Sequence, residues 1–284
     1  MAALHLEVLD CGVQIECADQ DAHALLEKIY RSFKQPIRQA RVSYHITSGS
    51  PDGLFITRHG DCPVSARGLG DFICKFDKDL IIETQKVRPD LYFVHAAVVA
   101  FRGHAIALVA PSGFGKSTTT WALLQHGFQY LSDELAPIEP RTFRVRPFPR
   151  ALCLKKNPPD CYPLPVDTIV TGRTVHVPTA LFSGDLAKEP LPLSMILFLR
   201  FIGQAQSPIL KPISSADATV RLLINTLNPL AHSQYGLDDA IAIAATIPCF
   251  ELFTGDLGST CKLVRAACGR QFSHVGARLD SSAL

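Results

Sequence analysis

The residues best equipped for chemistry lie between positions 95 and 134. The run Ala110-Pro111-Ser112-Gly113-Phe114-Gly115-Lys116-Ser117-Thr118 contains the pattern Ala/Gly-x-x-x-x-Gly-Lys-Ser/Thr, a relaxed phosphate loop. Gly113 and Gly115 permit torsions and close approaches that a Cβ opposes. Amides of the loop and of a following helix can then point at phosphate oxygens. Lys116 supplies a compact positive charge for the β- and γ-phosphates of ATP. The Ser117 hydroxyl is a hard oxygen for Mg²⁺. Downstream stands the pair Asp133-Glu134. Carboxylates near a phosphate loop can hold Mg²⁺ or take a proton from a hydroxyl nucleophile. Ser-Asp-Glu is also common as a cap or solvated turn. The short path from Lys116 to Asp133, one helix and one strand, favours the chemical reading. His95 precedes the loop in an apolar strand, where a lone histidine is more often a satisfied core residue.

These side chains need a strand before the loop and a helix after it, and the pattern supplies both. Residues 92–101 form an apolar strand, Arg102-Gly103 a tight turn, and residues 104–110 a second strand. A helix over 117–125 stops at Gly127, and a short strand over 128–131 leads to Asp133. This strand-loop-helix context sets the run apart from a glycine turn with a solvated lysine.

Residues 1–88 read as a separate α+β unit, and 89–284 as the phosphate-loop domain. In the first, strands over 4–9 and 13–17 are joined at Gly12. Asp19 caps a helix carrying Leu25, Leu26, Ile29 and Phe33 on one face. Strands over 42–47 and 54–58 flank a turn at 48–53, and a helix carries Leu69, Ile73, Phe76 and Leu80. In the second, residues 157–177 hold four prolines and read as a long irregular loop, which is usually functional or mobile. A core strand over 195–201, a helix from Ser214 or Ser215 to about 227, and a helix-strand-helix stretch containing 250–254 and 259–267 follow.

Residues 94–138, from Val-His-Ala-Ala-Val through Ala-Pro-Ser-Gly-Phe-Gly-Lys-Ser to Ser-Asp-Glu-Leu-Ala-Pro-Ile, resemble the core of the HPr kinase/phosphorylase family. The resemblance is closer still to the HPr-kinase-related kinases, some of which phosphorylate lasso-peptide precursors. Weaker likeness extends to 149–155, 196–200 and 222–228. The resemblance implies a phosphoenolpyruvate-carboxykinase-like α/β fold, a mixed sheet flanked by helices. It implies use of ATP and Mg²⁺, a peptide or small-protein acceptor, and a homo-oligomer. Lys116 and Ser117 match the nucleotide and Mg²⁺ positions, and His95 matches the strand histidine near the phosphates. Asp133 and Glu134 match an acidic pair whose second member is the base in the parent family. Because Asp is retained at the first position, Asp133 is the expected base, with Glu134 assisting the metal. No counterpart of the parent family's C-terminal signature loop is present.

The basic residues Arg141, Arg144, Arg146, Arg150, Lys155 and Lys156 follow the acidic pair. Arg150 and Lys155 are candidates to stabilise a transferring phosphoryl group, although any one of them also suits a solvated basic edge. Arg173 and His176 are placed to close over a substrate or to be ordinary surface residues.

The bulk properties exclude several classes. A net charge of +2 offers no global field for nucleic acid or acidic membrane. The 9 cysteines include no Cys-x-x-Cys pair, so they read as reduced structural thiols, with Cys74 and Cys249 in apolar runs. The first residues lack a basic n-region and an apolar h-region, and no apolar run reaches membrane-spanning length. The expectation is a cytoplasmic kinase acting on a Ser or Thr hydroxyl, with residues 1–88 as a substrate-docking module. The rival readings are a small-molecule kinase, a nucleotide-binding regulatory protein and an ATPase that powers a partner.

Overall fold

The computed structural model describes residues 2–49, 53–172, 174–203 and 206–279. Part of the turn expected at 48–53, and Arg173, lie outside the described residues. The chain forms two compact units, Met1–Pro89 with Phe148–Phe182, and Asp90–Pro147 with Ser183–Leu284. Residues 148–182, expected in the phosphate-loop domain, therefore pack with the N-terminal residues.

The first unit opens with β1 (Ala2–Val8), β2 (Cys11–Cys17), α1 (Gln20–Ile29), β3 (Val42–Gly49), β4 (Gly53–Arg58), β5 (Val64–Arg67) and α2 (Gly68–Val87). The sheet runs β1-β2-β3-β4-β5. Only β2 and β3 pair in parallel, and the crossover that this requires contains α1. Alternate residues are buried: Leu4, Leu6 and Val8; Val13 and Ile15; Val42, Tyr44 and Ile46. Helices α1 and α2 contribute Leu25, Leu26 and Ile29, and Phe72, Ile73, Phe76 and Leu80, to the same core. Asp19 caps α1 by accepting from the Ala22 amide at 2.9 Å.

The β1–β2 turn is Leu9-Asp10, both at positive φ, the geometry whose twist suits a two-residue hairpin. Gly12, expected there, instead lies in β2, where a Cβ would sit 2.2 Å from the Gln39 carbonyl oxygen. Cys74 is exposed on α2, against expectation, whereas Cys249 is buried.

The second unit begins with β6 (Tyr92–Val94), β7 (Ala96–Phe101), β8 (His104–Val109), α3 (Lys116–Gln125), β9 (Gln129–Ser132), β10 (Ala136–Ile138) and β11 (Arg144–Val145). The chain then adds β12 (Leu152–Leu154), β13 (Ile169–Thr171) and β14 (Thr174–Val177) to the first unit as a small antiparallel sheet. Residues 157–177 are thus not wholly irregular. Their flanks are held by the Ala151 amide on the Ile29 carbonyl at 2.9 Å and by the Ser32 and Thr179 hydroxyls at 2.6 Å. The second unit closes with β15 (Leu191–Phe201), β16 (Ile209–Pro212), α4 (Ser215–Ile224), α5 (Leu237–Thr246), β17 (Cys249–Thr254) and α6 (Leu257–Leu279).

Its sheet is mixed. Strands β8, β15 and β17 run parallel, β7 is antiparallel to β8 and β9, and β16 is antiparallel to β17. Val98, Ala107, Val109, Ile196 and Phe198 share a core cluster with Ala218 and Leu222 of α4 and Ala240 and Ile243 of α5. No helix among the described residues is long and apolar enough to cross a membrane.

Candidate active site

Strand directions bring the candidate residues to one edge of the sheet. Val109 ends β8, and its antiparallel partner is Ala96, the first residue of β7. The residue before β7, His95, therefore stands beside the start of the phosphate loop. Ser132 ends β9 and pairs with Val98 near the same end of β7, so Asp133 and Glu134 emerge there too.

The apolar strand expected over 92–101 is interrupted at His95. The strand leaves its β10 partner after Val94 and joins β8 from Ala96. At the break the His95 amide donates to the Asn225 carbonyl at 2.8 Å. This frees the side chain from the core, and it is half-buried with ring nitrogens on both sides engaged.

Pro111–Phe114 are exposed, whereas Lys116 is buried in the first turn of α3. Gly113 and Gly115 have φ of +90° and +87°. Gly115 is the residue before α3, and its carbonyl accepts from the Thr119 amide at 2.8 Å. A side chain at either glycine would force the rarely adopted left-handed conformation. Ser117 and Thr118 follow in the first helical turn, where unpaired amides favour an anion.

Lys116 Nζ donates to the Ala110 carbonyl at 2.9 Å and lies 2.8 Å from His95 Nε2. An ammonium can only donate, so Nε2 is the acceptor and the imidazole proton sits on Nδ1. That Nδ1–H faces the Glu134 carbonyl at 3.2 Å, with the Glu134 carboxylate at 3.6 Å. His95 thus links the lysine to the acidic pair.

The two carboxylates differ. Asp133 is fully buried and accepts from Ser117 Oγ at 3.1 Å. Glu134 is partly exposed beside His95. The order expected from sequence, with Asp133 as base, puts the base on the buried carboxylate already engaged by Ser117. Glu134 is the more accessible of the two carboxylates. Among the described residues no group of three or more His, Cys, Asp or Glu could hold a metal. A Mg²⁺ site needs fewer, because Mg²⁺ commonly takes one or two carboxylates together with water and substrate phosphate. The adjacent oxygens of Ser117 and Asp133 are donors of the hard kind it prefers.

Arg150 belongs to the other unit. It is 2% exposed and its guanidinium is paired with Asp77, which also accepts from the Tyr30 hydroxyl. Asp77 is thus a counter-charge of Arg150, which the sequence offered as a candidate to stabilise a transferring phosphoryl group. Lys155 is exposed in the same unit, and His176 is buried in β14. In the second unit Arg146 pairs with Glu139 at 3.0 Å, and Arg144 donates to the Pro190 carbonyl. The contribution of Asn225 had no local signal, because it acts through its backbone from a distant part of the chain.

No protein-family model matches the sequence, and no curated protein matches it. Among solved structures, the chain is similar to the HPr(Ser) kinase/phosphatase from Coxiella burnetii, at 13% identity and a TM-score of 0.34. The match covers 63% of this chain and 97% of that one. So slight a likeness carries no weight for the fold or the chemistry of this chain.

Proposed function

We propose that the second unit is an ATP- and Mg²⁺-dependent phosphotransferase acting on a hydroxyl acceptor. The observation that carries this reading is the convergence of Lys116, Ser117, His95, Asp133 and Glu134 on one sheet edge beside a glycine loop. A phosphate loop alone supports nucleotide binding. A half-buried carboxylate next to it supports transfer.

Ser117 and Asp133 would hold Mg²⁺, which supplies charge neutralisation at the phosphate oxygens when bound. Lys116, held in place by His95 and the Ala110 carbonyl, is a point charge for the β- and γ-phosphates. Glu134 accepts the proton of the attacking hydroxyl. The acceptor oxygen bonds to the γ-phosphorus as the bond from phosphorus to the bridging oxygen breaks, and ADP leaves. Little covalent work falls to the protein, so catalysis rests on positioning and preorganised charge.

The sequence resemblance supports a phosphoenolpyruvate-carboxykinase-like core. It also supports a Ser or Thr hydroxyl of a peptide as acceptor, including a ribosomally made lasso-type precursor. The first unit is proposed as a substrate-docking module on its separate fold. Cutting at residue 88 would strip 148–182 of its packing partners, so that role is best tested by surface substitutions.

The reading is tested by incubating the protein with ATP, Mg²⁺ and Ser- or Thr-containing peptides, followed by mass spectrometry. The expected result is a gain of one phosphate on a peptide. Labelling of sugars or free amino acids alone would move the assignment to a small-molecule kinase. Hydrolysis with no labelled acceptor would move it to a regulatory ATPase.

A further inference from the structure

Helices α4 and α5 each bury one face in the core of the second unit, through Ala218, Leu222, Ala240 and Ile243. Their outward faces should then be polar. They are not: Val220, Ile224 and Ile241 are exposed, and so are Leu227, Leu230 and Tyr235 in the connection between the helices. Ile224, Leu230 and Tyr235 are 76%, 84% and 69% exposed. Scattered exposed apolar residues need no explanation, but six gathered on one helix-turn-helix are the kind of surface that binding partners use.

This surface starts at the candidate site. The residue after Ile224 is Asn225, whose carbonyl holds the His95 amide. Thr226 bridges to Val94, and the Leu227 amide donates to the Phe93 carbonyl at 2.8 Å. The Asn228 side chain accepts from the Phe93 amide at 3.0 Å and donates to the Leu91 carbonyl at 2.8 Å. His232 is paired with Asp239 at 2.7 Å. The segment is thus pinned along the strand that delivers His95.

Its tip is also strained. Gln234 and Tyr235 both adopt left-handed torsions, with φ of 48° and 57°, a conformation that is unusual for a bulky residue and concentrates at functional positions. Gly236 follows at φ +80°, packed so that a Cβ would lie 2.9 Å from the Tyr92 ring.

The surface has a charge. Between positions 214 and 241 stand three aspartates and one arginine. The arginine, Arg221, is neutralised by Asp217 and by Glu251, each at 3.1 Å. Exposed Asp238 accepts from Ser233 at 3.1 Å across the same turn as Tyr235. An apolar strip with an acidic border is complementary to an apolar segment carrying a cation.

We infer that the outward face of α4 and its turn into α5, centred on Ile224, Leu230 and Tyr235 with Asp238 at the border, is the acceptor-binding surface. It receives a peptide segment with an apolar side chain near the phosphorylated Ser or Thr and a Lys or Arg beside that. This inference rests on the phosphotransferase reading and names its substrate class.

The test uses an oriented library of Ser- and Thr-containing peptides with ATP and Mg²⁺. The full chain is expected to select apolar residues and Lys or Arg near the acceptor. Ile224→Ser with Leu230→Ser removes two exposed apolar contacts and should raise KM for the selected peptide about tenfold, a change of about 1.4 kcal/mol in binding. The circular dichroism and melting temperature should be retained, because both side chains are exposed. Asp238→Lys should invert the charge preference toward Asp or Glu, a switch that a merely structural role would not produce. Unchanged KM and unchanged library preference would overturn the inference. So would a shift from dimer to monomer in the double variant with KM unaffected, which would make the strip a contact between copies. Labelling of small molecules but no peptides would sink this inference and leave the phosphotransferase reading standing. Failure to label any acceptor would sink both.

Discussion

Each unit holds a cluster of ionisable groups, and the two clusters differ in setting. In the first, Arg150, Asp77 and Tyr30 close on one another, while His176 faces the hydroxyls of Thr171 and Thr174 at 3.0 and 3.1 Å. In the second, Lys116, His95, Asp133 and Glu134 end strands or start a helix beside a loop whose tip is exposed. The first cluster knits residues 148–182 to α1 and α2. The second gathers donors and acceptors beside the exposed glycine loop. Buried ionisable groups are thus poor evidence of a reaction by themselves. Their placement at strand ends, next to glycines held at positive φ, carries the functional argument.

Substitutions that separate the two clusters test this contrast. The largest effect is expected from Lys116→Ala, which removes the charge proposed to meet the phosphates. Transfer should fall on the order of 10³-fold, the scale seen when one preorganised charge-stabilising donor is lost, with the melting temperature little changed. A transfer assay paired with thermal denaturation checks both parts. Arg150→Ala should do the reverse. It leaves the partly buried Asp77 without its guanidinium, and breaking a fully buried pair costs about 3–5 kcal/mol, so a smaller but clear loss of stability is expected, read as a lowered denaturation midpoint. Replacing both, with Arg150→Met and Asp77→Leu, should restore much of that loss. If Arg150→Met/Asp77→Leu folds normally but loses transfer, the structural assignment of Arg150 is wrong.

A smaller effect concerns pH. Burial, with help from the nearby Arg150 charge, pushes the His176 imidazole down to about 3 from its ordinary 6.5. Its Nδ1 has no hydrogen-bond partner among the described residues. Below pH 6.5 the unfolded chain takes up a proton there that the folded chain refuses. The stability associated with neutral His176 is therefore full above pH 6.5 and is lost as pH falls toward 3. Between pH 6.5 and pH 5 the loss should be about 2 kcal/mol. Denaturant titrations of the native chain and of His176→Gln at the two pH values check it, the variant showing the flatter dependence.

The parts of this contrast that were legible in sequence are those set by local rules. Gly-Phe-Gly-Lys-Ser between an apolar strand and a helix, Arg102-Gly103 as a turn, Gly127 at φ +83° after α3 and Asp19 as a cap all follow from backbone sterics over a few residues. What escaped depends on distant partners. The break at His95 exists because Asn225 takes up its amide. The short strand β5 has one buried residue, Ala66, and so no alternation to read. Arg150 looked available for phosphate because Asp77, far away in sequence, supplies its counter-charge. The different settings of the two acidic residues were likewise hidden, because neighbours in sequence do not reveal that Asp133 is buried and Glu134 partly exposed.

In the proposed function one end of the sheet both holds the nucleotide and moves its phosphate. Glu134→Gln tests it most directly, by comparing ATP affinity in the presence of Mg²⁺ with the rate of transfer to an acceptor hydroxyl. ATP affinity should stay close to that of the native protein, and transfer should slow by about 10²–10⁴-fold, the contribution of a positioned general base. Transfer at the native rate, or a loss that merely tracks weakened ATP binding, would contradict it.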